Sequence, residues 1–398
     1  MTTGSRPQAG RPVADARLED RQRGRLSRRR LLGAAASGTA LMGALGRAQA
    51  TGSVRIGQSL PLTGPLRPVV EPIVQGQQAL LQEVEARGGV LGQRIELITL
   101  DDAADPARTV ENARRLIADA HVASLFGFAF VPGLMRTLPL LAQHQVPLIG
   151  VYNGADIARR DHQPYLFTTT ASIRDEVEQM VRTLAELHLT RLAVAYQDNE
   201  FGRFMLPQVA DIAKAHGATI ACAAPVSPDG SNAPACAQAI GASQPNAVLL
   251  LAAGNAVLAF MREVRRATRV PVYALSLAGT TALVDQLGEA ARGLAVTQVV
   301  PYPTSESSPL TQAFGQAMRR AGLAPTYDRL WGYLNASILV EVLRQAGPAP
   351  SPATILATIE HMARADIGGY HLSFDAAHHN GSHFVDITML GADGHYIR

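Results

Sequence analysis

The sequence predicts an α/β protein built from two doubly wound, parallel-sheet lobes. Short β-branched apolar runs alternate with amphipathic helical segments from Val54 onward, which is the pattern of right-handed βαβ units. This alternation restarts after residues 167–170. The 398 residues, 47% of them hydrophobic, supply enough apolar material for two medium domains. One open sheet does not accommodate so many units, so we expect two lobes that face each other across a cleft.

In the alternation that precedes residue 167, the clearest signal for the start of a helix is Asp105-Pro106. There, an N-cap aspartate precedes a proline at the first helical position. Apolar periodicity then predicts strands over 54–57, 95–100, 122–128 and 147–149, and helices over 73–87, 106–118 and 133–144.

The second part begins with a strand at 167–170. Gly217 ends one of its helices, and Asn380-Gly381 is typical of a hairpin turn between the last two strands. The predicted strands are 192–196, 219–223, 247–251, 272–274, 370–374 and 384–389; the predicted helices are 175–187, 204–216, 234–240, 256–267, 328–345 and 352–362.

The first 50 residues have the layout of an export signal. Arginines at 28–30 precede a short Gly/Ala-rich apolar run through Leu45, which leads to an A-x-A end at 48–50. This layout is typical of a twin-arginine signal peptide cleaved after Ala50, and a disordered basic arm is the alternative. Beyond residue 50 no apolar stretch reaches about 18 residues, so we expect a soluble mature protein in the periplasm.

The basic character of the chain belongs to this same segment. Residues 1–50 contain ten arginines and three acidic residues, so the remainder carries a net charge of about −4 although the whole chain has a net charge of +3. A basic patch for nucleic acid is therefore not expected in the mature protein.

Two cysteines occur, Cys222 and Cys236. In an oxidising compartment they are able to close a loop of about 15 residues, which the chain-entropy model values at ~3 kcal/mol. Two free, buried thiols are the alternative. Their spacing is not that of a C-x-x-C redox or metal pair.

Several short motifs follow one another in a familiar order. They are residues 59–65 (SLPLTGP), 88–92 (GGVLG), Asp101-Asp102, residues 196–202 (YQDNEFG), residues 332–336 (GYLNA) and Phe374-Asp375. This ordered set resembles the Leu/Ile/Val-binding proteins of branched-chain amino-acid ABC transporters, which are type I periplasmic binding proteins. The resemblance covers residues 53–398.

The resemblance implies two lobes joined by three hinge crossings near residues 170, 301 and 366. The N-terminal lobe then comprises 53–170 plus 302–366, and the C-terminal lobe 171–301 plus 367–398. It also implies a monomer that closes around a small ligand and delivers it to ABC permease and ATPase subunits.

The resemblance further implies where the ligand binds. Amino-acid-binding members hold the ligand carboxylate with a hydroxyl and backbone amides of the first lobe. In this chain Val131 or Pro132 takes the hydroxyl position after Phe130, although backbone amides at the helix start remain available. The next loop supplies Tyr152, Asn153 and Gly154.

On the second lobe the expected ligand-binding residues are Phe201, Gly254 and Ser276. Ser276 falls where the amino-acid binders carry the acidic residue that pairs with the ligand ammonium. Because a buried ammonium without a counter-charge costs several kcal/mol, an apolar or aromatic carboxylate is favoured over an α-amino acid. Ordinary core packing is the alternative role for each aromatic side chain.

No enzyme or cofactor motif is evident: the G-x-S-x-G, P-loop and H-E-x-x-H patterns are all missing from the sequence. His371, His378, His379 and His383 lack a cysteine or carboxylate partner at a recognisable interval, so solvated loop histidines are favoured over a metal site. Two further functions remain open, a sensory module of the same fold that signals to a membrane receptor and an exported α/β enzyme.

Overall fold

The computed structural model describes residues 52–159, 161–391 and 396–397. The proposed signal peptide at 1–50 lies outside these residues. Within them, no helix combines the length and the apolar character that a membrane span requires.

The first sheet is entirely parallel, with strand order β2-β1-β3-β4-β5. Helices join the first four strands along the chain. Asp105 is the N-cap of α2, as predicted. In chain order the elements are β1 (Gly52–Leu60), α1 (Arg67–Ala86), β2 (Gln93–Asp101), α2 (Pro106–Ala118), β3 (Ser124–Phe126), α3 (Val131–His144), β4 (Leu148–Ile149) and β5 (Leu166–Phe167).

The chain then enters the second sheet, whose order is β14-β13-β10-β9-β8-β6-β7. Its strands β6 to β10 are parallel, whereas β13 and β14 are added antiparallel at one edge. The elements are α4 (Ile173–Glu186), β6 (Arg191–Gln197), α5 (Glu200–Ala215), β7 (Thr219–Val226), α6 (Ala233–Ala242), β8 (Ala247–Leu251), α7 (Asn255–Ala267), β9 (Val272–Ala274), α8 (Thr281–Leu287) and β10 (Leu294–Gln298).

Three helices after β10 return to the first sheet before the chain crosses back. They are α9 (Pro309–Ala321), α10 (Tyr327–Ala346) and α11 (Pro352–Glu360), and a two-stranded ribbon follows, β11 (Ala365–Asp366) with β12 (His371–Leu372). The last strands, β13 (Asp386–Leu390) and β14 (Tyr396–Ile397), belong to the second sheet.

Helices cover both faces of each sheet, so each lobe has two apolar layers. In the first lobe α1, α9, α10 and α11 pack on one face and α2 and α3 on the other. In the second lobe α6, α7 and α8 cover one face and α4 and α5 the other. This arrangement confirms the predicted fold class of two doubly wound, parallel-sheet lobes.

The sequence prediction missed or misplaced several elements. Strand β10 and helices α8 and α9 were not predicted. Helix α1 begins at Arg67 rather than at residue 73. Pro68 lies in its first turn, where proline is tolerated. The helix continues through Pro72, and it buries Val70 and Ile73.

The hairpin predicted at Asn380-Gly381 is wrong. Strand β12 pairs with β11 across Gly368 and Gly369, which both have positive φ, and β13 pairs with β10 instead. Asn380 belongs to the segment that crosses between the sheets, where it bridges to Thr168.

Helices α1 and α10 pack at unusually short range in the first lobe. A Cβ atom at Gly332 of α10 would lie 1.9 Å from the backbone oxygen of Ile73, and one at Gly76 of α1 would lie 1.8 Å from the backbone oxygen of Arg329. Only glycine permits backbones to approach so closely. The pair therefore sets the spacing of the two longest helices.

We expect Gly332→Ala to destabilise the protein by about 1–3 kcal/mol, because the added methyl group has no space against a backbone carbonyl. Urea unfolding followed by circular dichroism measures the change. Gly315→Ala in α9 is the matched control: its Cβ would meet only the flexible end of Arg319, at 3.4 Å. That variant should gain up to about 1 kcal/mol from helix propensity. Equal stability of the two variants would contradict the close packing.

Candidate functional site

The residues that the sequence assigned to ligand binding all follow the carboxyl ends of parallel strands. In the first sheet they lie after β3 and β4, and in the second sheet after β6, β8 and β9. In open α/β sheets this edge is where ligands bind, because loops and helix N-termini converge there. The predicted site residues therefore lie in two groups of loops, one at each sheet.

The first group begins where β3 leads into α3. Phe130 is the residue before the first helical turn and is half-buried, as is Val131, whereas Pro132 is exposed. Within the described ranges, no side chain caps this helix start. The aromatic ring of Phe130 is thus available beside backbone amides without a side-chain partner of their own.

Tyr152 is used differently from the expectation. Its side chain is 6% exposed and packs edge-on against Phe126 and Trp331. The hydroxyl donates to Oε1 of Gln77 at 3.1 Å. The ring and the hydroxyl of Tyr152 are therefore engaged in the core of the first lobe, so core packing, the alternative role, describes this side chain.

Asn153 lies beside a half-buried arginine, Arg159, that sequence reasoning did not single out. The Arg159 guanidinium donates to the backbone oxygen of Thr170 at 2.8 Å and to that of Asn153 at 3.1 Å. In the part of the chain that the structure describes, no acidic oxygen lies within ion-pair distance of it. Through its bonds to Thr170 and Asn153, Arg159 joins the loop after β4 to the first crossing between the sheets.

Three buried donors in this cluster have no acceptor among the residues that the structure describes. They are Nε of Arg159, Nδ2 of Asn153 and the hydroxyl of Thr170. Asn153 is 7% exposed, and its Oδ1 already accepts from the amide of Ala155 at 3.3 Å. A buried donor without a partner costs about 1–3 kcal/mol, so the cluster is matched to a group rich in hydrogen-bond acceptors.

Gly154 and Gly254 occupy positions where the backbone conformation or close packing favours glycine. The carbonyl of Gly154 accepts from the amide of Ile173 at 2.8 Å, and a Cβ there would lie 3.2 Å from the Ile173 side chain. Gly254 is exposed, precedes α7 and has a φ of +58°, which favours glycine. Phe201, in the first turn of α5, is half-buried against the core beneath it.

The expectation that no carboxylate accompanies Ser276 is wrong. Glu176 of α4, 1% exposed, accepts from the Ser276 amide at 2.7 Å and from the Ser276 hydroxyl at 3.0 Å. The hydroxyl of Thr297 also donates to it. The carboxylate is thus enclosed beneath Ser276 with its oxygens already hydrogen-bonded, in place of an acidic side chain at position 276 itself.

Burial controls the titration of the groups around the first crossing. It raises the pKa of Glu176 to about 7, against the opposing effect of the hydrogen bonds from Ser276 and Thr297. It also raises the pKa of Asp156, although the hydrogen bond from Ser172 and the charge of Arg159 act in the other direction. Burial lowers the pKa of Arg159, while the surrounding carboxylates raise it.

Arg159 lines two cavities. One, of about 600 Å³, is lined by residues that include Asp156, Arg174, Phe204 and His383. The other, of about 230 Å³, is lined by residues that include His162, Thr168 and His379. Both cavities therefore border the first crossing, one at Ser172 and the other at Thr168.

The histidines near the C-terminus do not converge. His378 contacts Asp375, His383 contacts Asp175 at 3.0 Å, His371 is exposed, and the ring of His379 stacks on Phe167. Among the residues that the structure describes, no group of three or more His, Cys, Asp or Glu side chains is arranged to hold a metal ion.

Cys222 and Cys236 are both free thiols in the structure. Cys236 is buried, its Sγ contacts the backbone oxygen of Ala224 at 3.6 Å, and Cys222 is half-buried against the same core. Burial raises the pKa of Cys236 to about 12. The structure thus corresponds to the alternative of two thiols.

Sequence reasoning missed Arg159, Thr170 and Glu176. Glu176 carried a signal, because it falls on the apolar face that Ile173, Val177 and Met180 define in α4. An acidic residue on a buried helix face needs donors from another element. Arg159 carried no such pattern, since its partners are backbone carbonyls.

Comparisons with known proteins agree with this geometry. A family model described as periplasmic binding protein matches residues 53–395. The Leu/Ile/Val-binding protein homolog 8 of Brucella suis biovar 1 (strain 1330) is 26% identical over 198 residues, which cover 48% of this chain and 47% of the relative. The chain thus spans about half the length of the curated relatives it matches.

Solved structures match over nearly the whole described chain. An extracellular ligand-binding receptor from Verminephrobacter eiseniae is 27% identical with a TM-score of 0.78, covering 87% of this chain and 100% of that one. A solute-binding protein of an ABC transporter from R. palustris, in complex with benzoate, is 20% identical with a TM-score of 0.73, covering 87% and 95%. The latter identity supports the fold alone.

We expect Glu176→Gln to flatten the pH dependence of stability. Between about pH 4.5 and pH 7 the folded protein holds the Glu176 proton more tightly than the unfolded chain does, so the free energy of unfolding falls as the pH rises through this window. Urea unfolding at pH 4.5, 6 and 8 measures the slope. Glu306→Gln, the same change at an exposed site, should keep the wild-type slope. Identical slopes for all three proteins would rule out the buried titration.

We expect two thiols per chain when unreduced protein is denatured and titrated with a thiol-specific dye. In the native protein at pH 8, Cys236 should stay unlabelled because burial disfavours its thiolate. Cys222→Ser, as the control, should leave one thiol after denaturation. A titre of zero in the unreduced wild type would demonstrate a disulfide instead.

Proposed function

This chain belongs to the type I periplasmic binding proteins of the branched-chain amino-acid-binding family, and on that premise we propose that it binds a small organic carboxylate between its two lobes and delivers it to an ABC importer. The family is one of solute-binding proteins, and accordingly we assign it no catalytic activity. The partners in this proposal are the permease and ATPase subunits of the importer. The proposed location is the periplasm, reached by the twin-arginine route.

The proposed division into lobes follows the two sheets. Residues 53–170 plus 302–366 belong to the N-terminal lobe and 171–301 to the C-terminal lobe. Tyr370, Leu372 and Phe374 pack in the hydrophobic cluster of the first sheet. We therefore move the third crossing from residue 366 to the segment after Phe374, and assign the strands beyond it to the C-terminal lobe.

The observation that carries the ligand class is the cluster of unpartnered donors at Asn153, Arg159 and Thr170. A carboxylate brings two oxygens with about four acceptor sites, and it suits a guanidinium whose hydrogen bonds within the described residues go only to backbone carbonyls. A ligand without an acceptor at this end would leave the donors unsatisfied. This argument favours a carboxylate over a neutral apolar molecule.

The remainder of the proposed ligand is apolar or aromatic. Phe130, Val131 and Phe201 are half-buried at strand ends of the two sheets, where ring or aliphatic contacts are available. The Glu176 carboxylate is 1% exposed with both oxygens accepting hydrogen bonds, so it offers no direct ion pair to an α-ammonium group. The fold is compatible with such a ligand, since the R. palustris protein of the same fold was solved in complex with benzoate.

A thermal-shift screen tests the ligand class directly. We expect benzoate or another aromatic or apolar carboxylate to give the largest increase in Tm, because a ligand at 100 times its Kd adds about 2.7 kcal/mol to stability. Leucine, valine and benzamide serve as comparisons. A larger shift with leucine or valine would refute the preference for a carboxylate without an ammonium group.

We expect Asn153→Asp to weaken binding of the best carboxylate by more than tenfold, because an acceptor oxygen and a negative charge replace the unpartnered amide donor. Isothermal titration calorimetry measures the Kd. Gln316→Glu, an amide-to-carboxylate change at an exposed position of α9, is the matched control and should leave the Kd unchanged. Unchanged affinity in Asn153→Asp would remove Asn153 from the site.

A further inference from the structure

The hydrogen bonds around Glu176 determine which way the Ser276 hydroxyl points. Ser276 follows β9 in a short 3₁₀ turn, Ser276–Ala278, at the edge where the proposed ligand site lies. Its backbone amide and its hydroxyl contact different oxygens of the same carboxylate, at 2.7 Å and 3.0 Å. Two contacts to one rigid group hold this turn in a single orientation relative to α4.

An ionised carboxylate only accepts hydrogen bonds. The single hydroxyl proton of Ser276 is therefore used by Glu176, and the lone pairs on its oxygen are the part that remains available. Thr297 cannot reverse this assignment, since its own hydroxyl donates to the same carboxylate. Ser276 is half-buried, whereas Glu176 is 1% exposed.

We propose that Ser276, oriented by Glu176, is a hydrogen-bond acceptor in the binding site, and that the natural ligand is an aromatic carboxylate that carries a hydrogen-bond donor, such as a hydroxyl group, at the end away from its carboxylate. This inference rests on the proposed function, because it assumes that the ligand carboxylate binds at Asn153 and Arg159. Ser276 contacts the ligand, and Glu176 is a positioning residue that acts through Ser276.

The charges near Glu176 belong to the same crossing. Asp156 and Arg159 influence it from the first lobe, and Asp175 precedes it in α4. Since the carboxyl titrates near neutral pH, acid adds a proton that can be donated to the Ser276 oxygen. The hydroxyl of Ser276 is then free to donate, so the preference for a ligand donor should weaken at low pH.

Matched benzoates test the inference on the wild-type protein by calorimetry at pH 8. The probes are benzoate, 3-hydroxybenzoate, 4-hydroxybenzoate and the corresponding methoxybenzoates, which keep an oxygen but have no donor. We expect the better hydroxybenzoate to bind about tenfold more tightly than benzoate and than its methoxy analogue, which is the effect of one additional neutral hydrogen bond. At pH 5.5 this advantage should shrink severalfold.

Variants separate the contact from general packing. Ser276→Ala should reduce the ratio of hydroxybenzoate affinity to benzoate affinity to about one, and Ser276→Thr, which keeps a hydroxyl, should restore part of that ratio. Glu176→Gln should remove the pH dependence of the advantage, because an amide does not titrate in this range. Ser307→Ala, at an exposed position after the second crossing, is the control and should behave as wild type.

The outcomes distinguish this inference from the function on which it rests. If benzoate binds and the hydroxyl group confers no advantage at pH 8, the inference is overturned and the proposed function stands. If the advantage survives in Ser276→Ala, Ser276 is not the acceptor. If none of the benzoates binds and an α-amino acid does, both are overturned together.

Discussion

Charge buried at the first crossing between the sheets is the constraint on which the candidate site depends. Removing a guanidinium or a carboxylate from water costs several kcal/mol unless hydrogen bonds replace the lost solvation. Arg159 recovers part of this from the carbonyls of Asn153 and Thr170, and Glu176 from the donors of Ser276 and Thr297. Arg159 thereby holds the loop after β4 to the crossing segment, residues 168–172, and Glu176 holds the turn after β9 to α4, which begins directly after that segment.

The same segment shows how a rigid lobe is joined to a crossing. Thr169 donates to Asn335 at 2.6 Å, Asn335 donates to the carbonyl of Gly150, and the hydroxyl of Tyr370 donates to the carbonyl of Thr169 at 3.0 Å. These bonds attach Thr169 to the first lobe, whose helices α1 and α10 are themselves locked by the glycine contacts. In the proposed function, closure of the lobes therefore requires rotation of backbone beyond Thr169, close to the unpartnered hydroxyl of Thr170.

Local patterns were sufficient for much of the fold. Helix α2 and strands β8 and β9 have the predicted bounds. Their signals are local, because an N-cap aspartate followed by proline, and a continuous apolar run, each involve only a few neighbouring residues. Strand β10 and helix α9 were missed. The hairpin prediction at Asn380-Gly381 failed because contacts outside this dipeptide determine its conformation. Gly381 packs against the ring of Phe374, and Asn380 bonds to Thr168, which is far away in the sequence.

The sequence by itself determined the class of the protein: the alternation of strands and helices, the restart near residue 170 and the ordered motifs are all local or sequential properties. It also identified the loops that end at the carboxyl edge of each sheet. Only the tertiary structure decided the chemistry of those loops. Tyr152 turned into the core, and a glutamate one hundred residues before Ser276 supplied the carboxylate that the local sequence lacks. The reason is physical, since the cost of burying a charge is met by whichever donors the fold brings within 3 Å, and sequence distance does not enter that balance.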